Sequence, residues 1–263
     1  KIFPVLAFYY DLTGQWMDLL ALTQIALEYA QLIGDLDSIV YIETHVLSWM
    51  LSDQGRHEEA ERYNADALKA VRQLGDISRQ CEVLVNYSRI FRRRKMFDQA
   101  LACCQQAFQL VPQLADAQQK YLRAYIEYEL GKFYRDCGDW QGAQHHLYAA
   151  RDVFRHDESD PVFNMELAWG ILSNLGFVEH QLGNLDSAEQ LYLQCLSFFR
   201  ELGSRGNMAT QLARLALLEE QRGNLAVALE YANEALDWSR RLGMVEEEAQ
   251  MEALGVRLSE EGN

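Results

Sequence analysis

LSNLGFVEHQLGNLDSAEQLYLQCL, residues 172–196, contains two helical patterns separated by a glycine. Gly183 stands where the first pattern stops, and a residue without a Cβ closes a helix in the left-handed conformation without steric cost. Beyond it, Ala188 and Cys195 are small residues seven apart, on one face of the second pattern. Upstream, Leu175 is followed by Gly176, a filling residue beside a small one, as two closely approaching helices require. The stretch reads as an antiparallel helical hairpin.

The same columns recur along the chain. Taking Ala188 as the register, its counterparts are Leu19, Ala60, Ala100, Ala143 and Ala228, at successive spacings of 41, 40, 43, 45 and 40 residues. Five residues before each stand Gly14, Gly55, Lys95, Gly138, Gly183 and Gly223. Seven residues after each stand Ala26, Ala67, Ala107, Ala150, Cys195 and Ala235. The filling column is Leu6, Leu47, Tyr87, Leu130, Leu175 and Leu215, each followed by a small residue (Ala7, Ser48, Ser88, Gly131, Gly176, Ala216). A second glycine ends many units, in LIGD (32–35), QLGD (73–76), ELGS (201–204) and RLGM (241–244), and Asp or Ser after it suits the next N-cap. In HDESDPVF (156–163), Asp160 and Pro161 are expected to start a helix. Twelve helices in six hairpins follow, with a thirteenth from about Met244. The units are expected near 1–34, 35–75, 76–112, 113–158, 159–203 and 204–243, with a terminal helix at 244–260. Three prolines in 263 residues and 49% hydrophobic content agree with an all-α array that carries a continuous core.

Glycine, alanine and paired small columns at these offsets resemble tetratricopeptide repeats (TPR) over nearly the whole chain, with 172–196 the nearest single unit. The period near 40 is longer than the usual ~34 residues, and so resembles the long-helix subtype. YYDLTGQWMDLLALTQIALEYAQLIGD (9–35) is similar to the C-terminal sensor arms of bacterial NB-ARC/STAND signalling ATPases. The resemblance implies a right-handed α-α superhelix whose first helices line a concave groove. It implies a non-catalytic module that recognises a protein or peptide segment there, as the ligand-sensing arm of a larger ATPase. A freestanding adaptor that bridges partners through the convex surface is the alternative. The opening KIFPVLAFYY reads as helix interior, so the chain is expected to be a piece of a longer protein, with an upstream nucleotide-binding module.

The groove stripe would hold residues fourteen, eleven and seven before each register position, one helix face at spacings of three and four. It gives Val5, Phe8, Leu12; Val46, Trp49, Asp53; Asn86, Arg89, Arg93; Glu129, Lys132, Asp136; Asn174, Phe177, Gln181; and Arg214, Leu217, Gln221. Eight before the register stand Arg92 and Arg135. SRIFRRRKMFDQA (88–100) gathers Arg89, Arg92, Arg93, Arg94 and Lys95 in a chain of net charge −15. Asn86, Arg89, Arg92, Arg93, Lys132 and Arg135 are therefore the expected grip on an acidic ligand, because guanidinium forks bind carboxylates through two hydrogen bonds. Asn86 with Arg89 is similar to the carboxylate-gripping residues of the family's peptide grooves. Phe8 and Trp49 would hold an apolar part, and Asn174 and Arg214 extend the stripe. The competing reading is that these cations pair with carboxylates on neighbouring helices.

Other chemistry is not expected. The acidic balance argues against nucleic acid as partner, and no run nears the roughly 20 apolar residues of a membrane span. The five cysteines are odd in number and lack a C-x-x-C, which points to core positions and a reducing cytoplasm. His145 and His146 are adjacent and diverge, and no phosphate loop, nucleophile elbow or zinc-binding histidine motif occurs, so no cofactor, metal or catalytic set is expected.

Overall fold

The computed structural model describes residues 16–154 and 161–261, and among these it contains twelve helices and no strand. They are α1 Trp16–Ile33, α2 over 36–53, α3 His57–Leu74, α4 Ile77–Arg93, α5 Phe97–Leu110 and α6 Asp116–Asp136. There follow α7 Trp140–Phe154, α8 Pro161–Gln181, α9 Leu185–Leu202, α10 Arg205–Arg222, α11 Leu225–Leu242 and α12 Val245–Glu261. The expected first helix, with Leu6, Ala7 and Gly14, lies outside the described residues, as does Asp160. The chain divides into two compact units, Gln15–Leu167 and Ala168–Asn263.

In each unit the repeat columns have the physical roles their residue types suggest. Ala60, Ala100, Ala143, Ala188 and Ala228 are fully buried, as are Ala67, Ala107, Ala150, Cys195 and Ala235. The turn column is left-handed throughout: Gly55, Gly138, Gly183 and Gly223 have φ between 76° and 81°, and Lys95 has φ 58°. Lys95 is the one non-glycine residue with positive φ among the described residues. Close helix approach accounts for the small column, since a Cβ on Gly131 would lie 2.6 Å from Leu147 Cγ and one on Gly176 2.9 Å from the Tyr192 ring.

In the unit Gln15–Leu167, α2 packs on α3, α4 on α5 and α6 on α7, and the first helices touch in sequence, α2 with α4 and α4 with α6. Cys81, Leu84, Cys104, Val111, Leu122 and Ile126 belong to its core. Asp35 and Asp76 cap α2 and α4 through bonds from the backbone N–H of Ser38 and Arg79. Inside α2 the turn Ile42–Leu47 is π-helical, between the α-helical stretches Leu36–Tyr41 and Ser48–Asp53. It buries Glu43 and Thr44. In the unit Ala168–Asn263, α9 packs on α10, α10 on α11 and α11 on α12, around Tyr192, Leu212, Leu215, Met251 and Leu254. Ser204 precedes α10 but its side chain makes no cap bond to the backbone; Asn207 Nδ2 donates to its Oγ instead. All five cysteines are free, and four are buried. Burial pushes the Cys81, Cys104 and Cys195 thiols up to about 12, so they behave as core residues.

Candidate functional site

The contact between α4 and α6 gathers most of the expected cations. α4 presents Asn86, Arg89, Arg92 and Arg93, and α6 presents Glu129, Lys132, Arg135 and Asp136, because both helices repeat the same i, i+3, i+7 face at the same distance from a turn. Arg92, only 6% exposed, lies between two carboxylates: its guanidinium bonds Asp136 and stands 3.8 Å from Glu129. Lys132 Nζ bonds Glu129 at 2.7 Å, and Arg135 bonds Asp136 at 2.6 Å. Burial opposes the charge on Glu129, yet Lys132, Arg92 and Arg89 outweigh it and hold the carboxyl below its usual range. Burial pushes Lys132 down to about 8 against the pull of Glu129, with Arg92 and Arg89 adding to the fall. Asp136 is held low by Arg135 and Arg92 against its own burial.

Three of the six expected gripping residues, Arg92, Lys132 and Arg135, thus have carboxylate partners within the chain. The sequence held that signal, since Glu129 and Asp136 lie on the same stripe as Lys132. Arg89 and Asn86 differ. Arg89 acts on His45 of α2 and Glu129 of α6, so it stands between two flanking first helices. Its Nε and Nη2 are buried with no hydrogen-bond acceptor among the described residues. Asn86 is 1% exposed and its Nδ2 likewise has no acceptor among the described residues. Arg92, Lys132 and Arg135 share Glu129 and Asp136 with one another, and Arg89 faces the same Glu129. Such an arrangement can take an anionic or carbonyl oxygen at Arg89 and Asn86 without breaking the existing pairs.

The remaining expected residues fall elsewhere. Arg93 is exposed at the end of α4. Arg94, not counted on the stripe, bonds Glu61 at 2.6 Å. Phe8 and the side chain of Trp49 lie outside the described residues. In the other compact unit, Asn174 on α8 donates to the Gly170 carbonyl at 2.8 Å. Arg214 on α10 donates to the carbonyl and hydroxyl of Ser173 at 2.8 and 2.7 Å and covers the rings of Phe177 and Tyr192. What sequence reasoning missed is the polar neighbourhood on α2: His45 stacks on Tyr41 and stands 3.6 Å from Glu82 of α4. Nothing in the repeat pattern marks it. Among the described residues no group of three His, Cys, Asp or Glu could hold a metal ion, and no helix is long and apolar enough to cross a membrane.

Comparison with known proteins places this geometry in a family setting. Residues 167–241 and 44–74 each match family models described as tetratricopeptide repeat. The chain carries tetratricopeptide repeats. No curated protein matches the sequence. Among solved structures, the TPR chain resembles a signal transduction ATPase with numerous domains, with a tetratricopeptide repeat sensor, from Pyrococcus horikoshii. The TM-score is 0.67 at 16% identity, covering 90% of this chain and 36% of that one. It resembles a Rap protein complexed with competence and sporulation factor at TM-score 0.66 and 14% identity, covering 97% and 73%. It also resembles BtubC from P. vanneervenii at TM-score 0.64 and 14% identity, covering 87% and 92%. The fold is the all-α helical-repeat fold of these structures, and it resembles the TPR sensor of the Pyrococcus protein.

Proposed function

We propose that the chain is a non-catalytic, protein-binding TPR domain that takes a peptide or protein segment on its first-helix stripe. It would do so in the cytoplasm, as the sensor arm of a larger signalling ATPase and as one continuous array of six hairpins. The observation that carries the reading is the set of buried donors on Asn86 and Arg89 that have no acceptor among the described residues. A buried donor left unbonded costs roughly 1–3 kcal/mol, so these groups favour a ligand that brings an oxygen. The guanidinium of Arg89 favours an acidic segment. The neighbours support the class of ligand, since one is a Rap protein complexed with competence and sporulation factor and another is NprR in complex with its cognate peptide. The chain spans 36% of the Pyrococcus signalling ATPase, and a phosphate loop encoded upstream of Lys1 would decide for the sensor arm. A freestanding adaptor is the second reading, favoured by the 92% coverage of BtubC.

The stripe is tested by selecting a phage-displayed peptide library on the wild-type chain and on Asn86→Ala/Arg89→Gln. These substitutions remove the Asn86 amide and the Arg89 guanidinium fork with its charge, and leave the Arg92, Lys132 and Arg135 pairs in place. Peptides enriched in Asp or Glu on the wild type alone support the site. Identical enrichment on both proteins, or none on either, overturns it.

A further inference from the structure

A second site lies on other faces of the same hairpins. Ala65, Leu68, Lys69, Arg72 and Gln73 of α3 and Tyr87 of α4 line a cavity of about 490 Å³, within the roughly 300–1,000 Å³ typical of small-ligand sites. Its origin is a local departure from the repeat. The other hairpins place leucine in the filling column, whereas the third places Tyr87. The longer ring stacks on Phe91, and its hydroxyl reaches the Glu61 carbonyl of α3 at 3.5 Å, so one wall of the cavity is an aromatic ring held at both ends. Leu68 supplies a second apolar wall.

The rim is cationic, and its cations are unengaged. Lys69 and Arg72 are exposed one helical turn apart on α3, and neither forms an ion pair among the described residues, whereas most arginines of this acidic chain do. We infer that Tyr87, Leu68, Lys69 and Arg72 form a binding site for a compact amphiphilic anion, its apolar body between Leu68 and Tyr87 and its carboxylate or phosphate on Lys69 and Arg72. Two point charges a turn apart, with a glutamine amide alongside, suit a multi-oxygen head group. The acidic remainder of the chain raises the selectivity of this rim, because an anion finds few other positive surfaces. This site is separate from the Asn86–Arg89 stripe and stands on its own observations.

The probes are 1-naphthyl phosphate, 2-naphthoate and neutral 2-naphthol, titrated against the chain with methyl-labelled leucine and followed by NMR at Leu68. Saturable shifts at Leu68 with either anion support the site, and the tighter of the two names the head group. Lys69→Glu/Arg72→Glu should weaken anion binding by about tenfold or more and leave 2-naphthol unchanged. Tyr87→Leu restores the residue of the other hairpins, so the fold is kept while the aromatic wall is lost and all three probes weaken. Arg89→Gln should leave the titration unaltered, which separates failure here from failure of the groove reading. Absence of a saturable shift at Leu68, or equal affinity in Lys69→Glu/Arg72→Glu, overturns the inference.

Discussion

From Ala168 onward one polar pair repeats with the fold. Asn184 and Asn224 each follow a turn glycine, and each donates its amide to the glutamate five residues earlier, Glu179 at 2.7 Å and Glu219 at 2.6 Å. Between Gln15 and Leu167 the same two places hold Leu51 and Arg56, Phe91 and Met96, and Tyr134 and Asp139, so that bond does not recur. There the buried charges sit instead on Glu43 of the π turn and on Arg92 and Glu129, with half-buried Lys132 beside them, where α4 meets α6. A polar pair repeated at a fixed offset secures the hairpin frame. One that occurs once reflects a local requirement, and the candidate site lies among such groups.

Substituting the two kinds of glutamate probes that contrast most severely. Glu129→Ala leaves Arg92 and Lys132 with less compensation in a buried place, at a cost of about 3–5 kcal/mol. Glu219→Ala removes a partner from Asn224 and from Arg222, but Arg222 keeps Asp186 and Glu189, so about 1–2 kcal/mol is expected. Urea unfolding of both variants checks the pair. Equal losses would remove the distinction between repeated and local polar groups.

How much of this was legible in sequence follows the same division. Ala143, Gly138 and Ala150 could be read because sterics impose the same demand in every hairpin, and repetition separates that demand from chance. The capping role of Asp35 and Asp76 was readable from local offsets, although Ser204 in the equivalent place makes no such bond. Arg89, Arg92 and Arg93 stand on α4, and Arg94 and Lys95 follow its end. Their partners were harder to read, because whether Arg92 reaches Glu129 or a ligand depends on side-chain reach between adjacent hairpins, which has no period. The π turn at Ile42–Leu47 and the cavity beside Tyr87 each occur once, so self-alignment is blind to the first and shows the second only as a departure.

A smaller effect comes from the π turn and its neighbours. Burial, with Asp66 nearby, pushes Glu43 up to about 7; burial also takes Glu82 to about 7, against Arg79 and with Asp76. Burial and then Arg89 push His45 down to about 4. A raised carboxyl favours the folded state fully below its unfolded pKa and loses that contribution as pH rises through about 7. The depressed histidine acts oppositely, losing stability as pH falls from about 6.5 toward 4. Each group changes stability by up to about 1.4 kcal/mol per pH unit. Burial also depresses His180, which acts in the same sense as His45. With two strongly raised carboxyls outweighing the histidines, the melting temperature should fall as pH rises from 5 to about 7 and level off above it. In Glu43→Gln/Glu82→Gln the depressed histidines His45 and His180 remain, and the trend between pH 5 and 6.5 should reverse sign. A wild-type slope retained in that double variant would show that the dependence arises elsewhere.

The smallest expected effect isolates one backbone conformation. Lys95 N donates to the Arg92 carbonyl at 2.9 Å and Met96 N to the Phe91 carbonyl at 2.8 Å. Gly138 and Asp139 make the same two bonds, to Arg135 and Tyr134, at 3.0 and 2.9 Å. The third hairpin therefore turns as the others do, with a side chain where they have none. At the glycine turns a Cβ would meet nothing within 4 Å, so the penalty for Lys95 is the left-handed backbone itself, about 1 kcal/mol. Lys95→Gly relieves that strain but gives the unfolded chain more freedom, which offsets roughly 0.5–1 kcal/mol of the gain. The net expectation is between zero and about 1 kcal/mol of stabilisation, with the reciprocal Gly183→Lys destabilising by about the same ~1 kcal/mol. Both are measurable by thermal unfolding at one pH. If Lys95→Gly lowered the melting temperature, the ammonium would have to make a contribution larger than the strain it imposes. The third hairpin would then hold a functional or stabilising charge at the one turn where the repeat gives up its glycine.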